Sequence, residues 1–356
     1  METEKITGLY HFHRDLSFIE PVPAGHINDT YRVYLKGKHD PAYILQRLNG
    51  DVFKNIPAIL ENISTVDSFI RSKGEVGFAW PGLVKSIEGE AFIRDKTGGY
   101  WRCYEHIMGA RTHENPANIQ MAAEAGRVIG SFHLALHDLP DNLHETIPNF
   151  HDFPHRWEQF REALKINYKN RTAHARQTIS FANRQSGPMD LYFRSFEKSG
   201  VPERPVHYDT KFNNILFDDE KRAVGLIDLD TLMTGYIQFD FGDALRTLAS
   251  TAAEDEKDTE KIDFNGGLFK AFSNSYFKQV RGFLNDDELA LFTDAPAYLT
   301  FIIGLRFLTD YLSGDLYFKV SGKEHNLIRA RNQFRLVEHM IEKRDFIKNT
   351  IYDSVP

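Results

Sequence analysis

The chain has 356 residues, 42% of them hydrophobic, which is enough to bury one large core or two modest ones, and two lobes are the better expectation at this length. Its net charge of −7 argues against a nucleic-acid partner, and its one cysteine, Cys103, excludes an internal disulfide. No run approaches the roughly eighteen apolar residues of a membrane span, and the opening Met-Glu-Thr-Glu-Lys lacks the apolar core of a signal peptide, so the cytoplasm is the expected compartment.

In chain order, Ser17 to Ala24, Thr30 to Lys36 and Ala42 to Leu48 read as three successive strands, with turns at Gly25 to Asp29 and Lys36 to Asp40. Phe53, Ile56, Ile59, Leu60, Ile63 and Phe69 recur at mostly helical spacing over Val52 to Arg71. Two further strands are expected around the turns at Glu88-Gly89 and Thr97-Gly99, the last ending in the run Tyr100 to Ile107. Beyond Met108-Gly109 the chain turns largely helical: Ala125, Val128, Ile129, Phe132 and Leu136 share one face, as do Leu327, Phe334, Val337 and Ile341 near the C-terminus. The shift in character divides the chain into an N-terminal lobe, residues 1–107, and a C-terminal lobe, residues 108–356. Trp80, Trp101 and Trp157 are expected as packing anchors.

The stretch from His207 to Asp230 carries the chemistry. Asp209 stands two residues after His207, Asn214 five residues further at the mouth of an apolar strand, and Asp228 at the end of a second apolar strand. The polar turn Asp218 to Arg222 between those strands makes a hairpin that brings Asn214 and Asp228 together. Transfer of a phosphoryl group needs one carboxylate to orient the attacking hydroxyl and oxygen ligands to hold magnesium against nucleotide phosphates. Asp209, Asn214 and Asp228 are the right types for those three tasks, and His207 is better suited to organising the loop than to moving protons. Asp230 is a second-layer metal partner, a sugar contact or a turn cap with equal weight, whereas Asp240 and Asp243 are expected to brace the loop.

The pattern HxDxxxxN followed by an apolar strand and I-D-x-D resembles the aminoglycoside phosphotransferase and choline kinase superfamily. Asp228 to Gly235, Asp240 to Arg246, Arg306 to Lys319, Gly25 to Tyr31 and Tyr43 to Asn49 are most similar to the bacterial N-acetylhexosamine 1-kinases within it, over roughly residues 20 to 335. The resemblance implies a bilobal, protein-kinase-like α+β fold with a small antiparallel sheet in the N-lobe and a mainly helical C-lobe. It also implies ATP as co-substrate, Mg²⁺ as cofactor and a small sugar acceptor, with Asp209 as catalytic base and Asn214 and Asp228 as metal ligands.

The nucleotide would be met by Gly25, Asn28 and Thr30 of the first hairpin, by Gln46 and Arg47 on the third strand, and by Glu105 and Ile107 through their backbone at the hinge. Gln46 stands where the superfamily carries a phosphate-pairing lysine, and Arg47 points to the opposite face. A neutral Gln cannot supply that charge, so it must come from elsewhere. Glu61 is the candidate for the usual kinase helix glutamate, with a solvated helix face as the equal alternative. The acceptor would be met by His26, Asp209, Thr210, Lys211, Asp230, Arg306 and Tyr317. From the residues alone, Arg306 and Asp310 would pair with each other on an ordinary amphipathic helix, Leu305 to Leu312, with the aromatics in its core. The alternatives are a kinase of the same fold for another small alcohol, such as choline, homoserine or an aminoglycoside, and a nucleotide-binding pseudokinase. Oligomeric state and hexosamine epimer are not legible in the sequence.

Overall fold

The computed structural model describes residues 2–12, 15–23 and 27–354. It opens with α1 (Glu2–Thr7), followed by three antiparallel strands, β1 (Leu16–Pro21), β2 (Asp29–Leu35) and β3 (Tyr43–Arg47). Helix α2 (Ile56–Lys73) starts later than its apolar spacing suggests, because Asn55 caps it by accepting from the Ala58 N–H and Pro57 sits in its first turn. Strands β4 (Ile93–Arg94) and β5 (Tyr100–Glu105) complete a five-stranded sheet in the order β1-β2-β3-β5-β4. These are the two strands expected around the turns at Glu88-Gly89 and Thr97-Gly99. Leu83 adds an isolated bridge to Tyr104 of β5.

The rest is mainly helical: α3 (Ile119–Leu136), α4 (Phe153–Ile166) and α5 (Arg176–Ser199) precede four short strands. These are β6 (Arg204–Val206), β7 (Ile215–Phe217), β8 (Ala223–Leu226) and β9 (Met233–Gly235), paired antiparallel as β6 with β9 and β7 with β8. Then come α6 (Ile237–Leu248), α7 (Gly266–Val280), α8 (Asp286–Leu291), α9 (Ala295–Ser313), α10 (His325–Glu342) and α11 (Arg344–Asp353). The architecture is the expected bilobal α+β arrangement. Among the described residues, no helix is long and apolar enough to cross a membrane.

Three apolar clusters hold it together. Val33, Leu45, Trp101 and Cys103 close the sheet against α1. The largest cluster joins α2, α3, α6 and α7 to the β7–β8 hairpin, so α2 packs with the helical part although it precedes β4 and β5. The third, from α4, α5, α9 and α10, forms the wall beneath Arg306 and Asp310. Asn62 of α2 reinforces the second cluster by donating to the carbonyls of Leu232 (2.8 Å) and His144 (2.9 Å).

Helix α3 lies close along α7, and the approach is set by Gly126, where a Cβ would collide with the carbonyl oxygen of Phe272. Backbone cannot rotate away as a flexible side chain would, so adding one methyl must push the helices apart. Overpacking of a filled core typically costs about 1–3 kcal/mol. Gly126→Ala should therefore lower the thermal midpoint by several degrees in differential scanning calorimetry, and an unchanged midpoint would show that the contact tolerates the methyl.

Candidate active site

The loop from His207 to Asp209 leaves β6 through a sharp bend at Tyr208, whose φ of 62° lies in the left-handed region that costs a bulky residue strain. The strain is offset by Asp240 in the first turn of α6. Its two carboxylate oxygens accept the N–H groups of His207 and Tyr208, both at 2.7 Å, and one of them also meets His133 Nε2 at 2.9 Å. The buried Thr210 hydroxyl donates to the Asp240 carbonyl at 2.6 Å, so it too braces the loop.

His207 is fully buried, with Nε2 3.0 Å from the Ile227 carbonyl and Nδ1 accepting the Asp209 N–H at 3.3 Å. That pattern requires the neutral Nε2–H tautomer. Burial lowers its pKa below the ordinary value against the opposing charges of Asp240 and Asp209.

Asp209 is held from two sides. Lys211 Nζ lies 2.7 Å from Oδ2, and Asn214 Nδ2 donates to the same oxygen at 2.9 Å and to the Asp209 carbonyl at 2.8 Å. Burial alone would raise this carboxyl, but the charge and hydrogen bond of Lys211, with help from His207 and Arg246, keep it below the usual value. Asp209 therefore stays ionised.

The hairpin forms as its sequence requires. Ile215 pairs with Leu226, and the Ile227 N–H donates to the Asn214 carbonyl at 3.0 Å, which sets Asp228 beside Asn214. Asp228 is left-handed (φ 67°) and open to the cleft. Desolvation by the surrounding protein, then the negative charges of Asp209 and Asp230, push its carboxyl up to about 7, with Lys211 and Arg102 pulling the other way. With Asn214 Nδ2 committed to Asp209, its oxygen is the atom left for a metal. Asn214 and Asp228 thus offer hard oxygen donors among mutually repelling carboxylates, a donor set that fits Mg²⁺. No cluster of three or more His, Cys, Asp or Glu suited to a metal occurs among the described residues. Such a cation would take its remaining ligands from phosphate and water, as Mg²⁺ at nucleotide sites does.

Across the cleft, Asn28, just before β2, and Arg102 of β5 meet Asp230. Arg102 forms a buried ion pair with Asp230 Oδ1, and Asn28 Nδ2 donates to Oδ2 at 2.6 Å. Both oxygens of Asp230 are thereby engaged by the N-lobe. Gln46 Oε1 accepts from Arg102 Nε (3.0 Å) and Nη2 (2.8 Å), while its Nε2 donates to Thr30 Oγ1 at 3.1 Å. Arg47 stands on the other face, 3.6 Å from Asp95, 3.3 Å from Thr97 and over the Trp101 ring, and is not brought to this cluster.

Glu105 ends β5, its N–H on the Gly82 carbonyl at 2.9 Å and its exposed side chain near Arg71. Ile107 packs toward Gly225 at the back of the hairpin, and the chain then turns at Gly109 (φ 69°). Glu61 is exposed beside His144 (3.0 Å), away from Gln46. Gly25 and His26 lie outside the described residues.

On the opposite side Arg306 projects from α9. Its guanidinium carbon lies 5.0 Å from the Phe150 ring centre, 5.6 Å from Tyr317 and 5.5 Å from Phe318. It makes no hydrogen bond or ion pair with any described residue. Burial lowers its pKa, with Tyr317 and Asp209 opposing. The expected pairing with Asp310 does not occur. Asp310 instead accepts the N–H groups of Leu316 and Tyr317 at 2.8 Å and Phe318 at 3.0 Å, together with Asn326 Nδ2 at 2.9 Å. This anchors the loop after α9 with the Tyr317 ring exposed, and the left-handed Asp315 (φ 61°) is held by Arg171 at 2.6 Å.

Sequence reasoning passed over Arg102 and Phe150. Arg102 had a signal, a cation inside an apolar strand, whereas Phe150 sits in a loop and gave none. Asp243, read as a brace, bonds Arg246 at 3.0 Å through Oδ1, while Oδ2 is buried without a partner.

Residues 19–272 match the model of a family described as phosphotransferase enzymes. Among solved structures, the chain is similar to a microcompartment-associated aminopropanol kinase (TM-score 0.65, 17% identity, 96% of this chain and 98% of that one). It is also similar to amicoumacin kinase hAmiN, solved with AMP-PNP, Ca²⁺ and Ami (0.60, 17%, 94% and 92%), and to choline kinase from Cryptosporidium parvum Iowa II (0.60, 14%, 96% and 92%). These likenesses are to the fold. By its match over more than half its length, the chain belongs to the phosphotransferase enzyme family.

Proposed function

We propose that this phosphotransferase is an ATP-dependent sugar 1-kinase that moves the γ-phosphoryl group to the anomeric hydroxyl of an N-acetylhexosamine. The observation that carries this reading is Arg306, an unpaired guanidinium facing the same cleft as the ionised Asp209. Asp209 accepts the hydroxyl proton as that oxygen attacks the γ-phosphorus and the bond to the leaving ADP oxygen breaks. Lys211 lies against the base and compensates charge as it develops. Asn214 and Asp228 would hold Mg²⁺, which when bound neutralises phosphate charge.

The aromatic groups decide between acceptor classes. Phe150, Tyr317 and Phe318 make the kind of cage that takes an ammonium ion, as choline recognition would use, but here the protein's own Arg306 fills it. Burial, and then the charge of Arg306, lower the proton affinity of a second guanidinium nearby, Arg156. A cationic alcohol would meet like charge. An uncharged polyol with an amide carbonyl would find donors on Arg306, an acceptor in the unpartnered Oδ2 of Asp243 and an aromatic face in Tyr317.

Asp209→Asn should reduce turnover by roughly 10²- to 10⁴-fold, the usual worth of a positioned acid–base group, with ATP affinity little changed. Near-normal turnover would remove Asp209 from the base role.

Arg306→Ala removes a charged hydrogen-bond donor, worth about 1.5–3 kcal/mol, and Tyr317→Phe removes a neutral one, worth about 0.5–1.5 kcal/mol. Both should appear as lost kcat/KM for the sugar, larger for Arg306, with ATP binding in the absence of sugar unaltered. Stable variants with unaltered sugar kinetics would overturn the proposed pocket.

A further inference from the structure

The Arg102–Asp230 ion pair joins the two lobes at the transfer site. Its side chains are only 1% and 3% exposed, and the guanidinium lies 5.0 Å from the Tyr104 ring centre. Asp230 occupies a single 3₁₀ turn, Leu229–Thr231, which begins at the left-handed Asp228. The Thr231 hydroxyl donates to the His207 carbonyl at 2.6 Å, so that turn is also tied to the catalytic loop. On the sheet side, Gln46 links Arg102 to Thr30, and Asn28 links Asp230 to the N–H of Asn49 through its Oδ1 at 3.0 Å. The circuit therefore runs from the start of β2, through β3 and β5, to the turn carrying Asp228. A buried ion pair is poor evidence for stability, since desolvating both charges offsets their attraction. What it does enforce is a fixed relative position of the groups it connects.

We propose that Arg102 is a positioning residue for phosphoryl transfer. By clasping Asp230, it locks the metal-side turn of the C-lobe beneath the N-lobe strands that cover the nucleotide. Gln46, which stands at the expected lysine position, serves as its anchor. The cation absent at position 46 of β3 thus stands instead on the facing residue of β5, in direct register with Gln46.

The test compares wild type with the double variant Arg102→Met/Asp230→Asn, which removes both charges together, so neither is left buried alone. Binding of AMP-PNP with magnesium is measured by calorimetry without any acceptor, which keeps the result independent of the sugar assignment. The expected outcome is a dissociation constant raised by about tenfold or more, within the usual range of coupling between sites, at a thermal midpoint close to wild type. Arg102→Lys should restore only part of the affinity, because an ammonium keeps the charge but cannot fork to Gln46 and Asp230 together. A folded double variant that binds with wild-type affinity overturns the proposal. Should the double variant fail to fold, Gln46→Leu frees Arg102 from β3 while leaving the ion pair. Weaker nucleotide binding then supports the clasp, and unchanged binding refutes it.

Discussion

Asp240 takes the peptide N–H groups of His207 and Tyr208 on its two oxygens, and the placement of Asp209 depends on that capture. It holds the N–H groups of Tyr208 and of the residue before it, and so supports the left-handed bend that directs Asp209. With it, the loop is pinned to the first turn of α6, where the helix N-terminus favours a carboxylate. The neutral His207 then spans the loop and the end of β8, so Asp209 and Asp228 share one frame. Three carboxylates, Asp209, Asp228 and Asp230, converge there. Lys211 answers the first and Arg102 the third, which leaves the charge of Asp228 for a cation outside the protein.

Much of this was legible in the sequence, because local patterns specify local geometry. The β7–β8 hairpin follows from two apolar runs around a polar turn, and three N-terminal strands follow from alternating runs between turn residues. What escaped depended on long-range contacts. The start of α2 was misjudged because an apolar period continues through Phe53 while the cap at Asn55 overrides it. Arg306 and Asp310, one turn apart on α9, look like an ion pair in sequence. In three dimensions Asp310 is claimed by three backbone N–H groups of the next loop, a better bargain for a buried carboxylate than one flexible guanidinium.

The superfamily fold serves acceptors of different charge, so fold alone says little about substrate. Here the discriminating feature is a cage that carries its own cation. Arg306 keeps its donors free while its flat face is covered by aromatic rings, and Asp310 fixes the loop that supplies two of those rings. The pocket is therefore polar and positively charged where an ammonium-binding relative would need it empty. Arg102 and Arg306 are used in opposite ways: one is fully paired and links the lobes, the other is unpaired and faces the cleft.

The most direct measurement is ATP consumption over a panel of amino sugars, neutral sugars, choline and aminoglycosides, with the phosphorylated carbon located by phosphorus NMR. The account predicts turnover with an N-acetylhexosamine and a product whose phosphorus couples to the anomeric proton. Preferential phosphorylation of choline or an aminoglycoside, or a phosphate on any other carbon of the sugar, would contradict it.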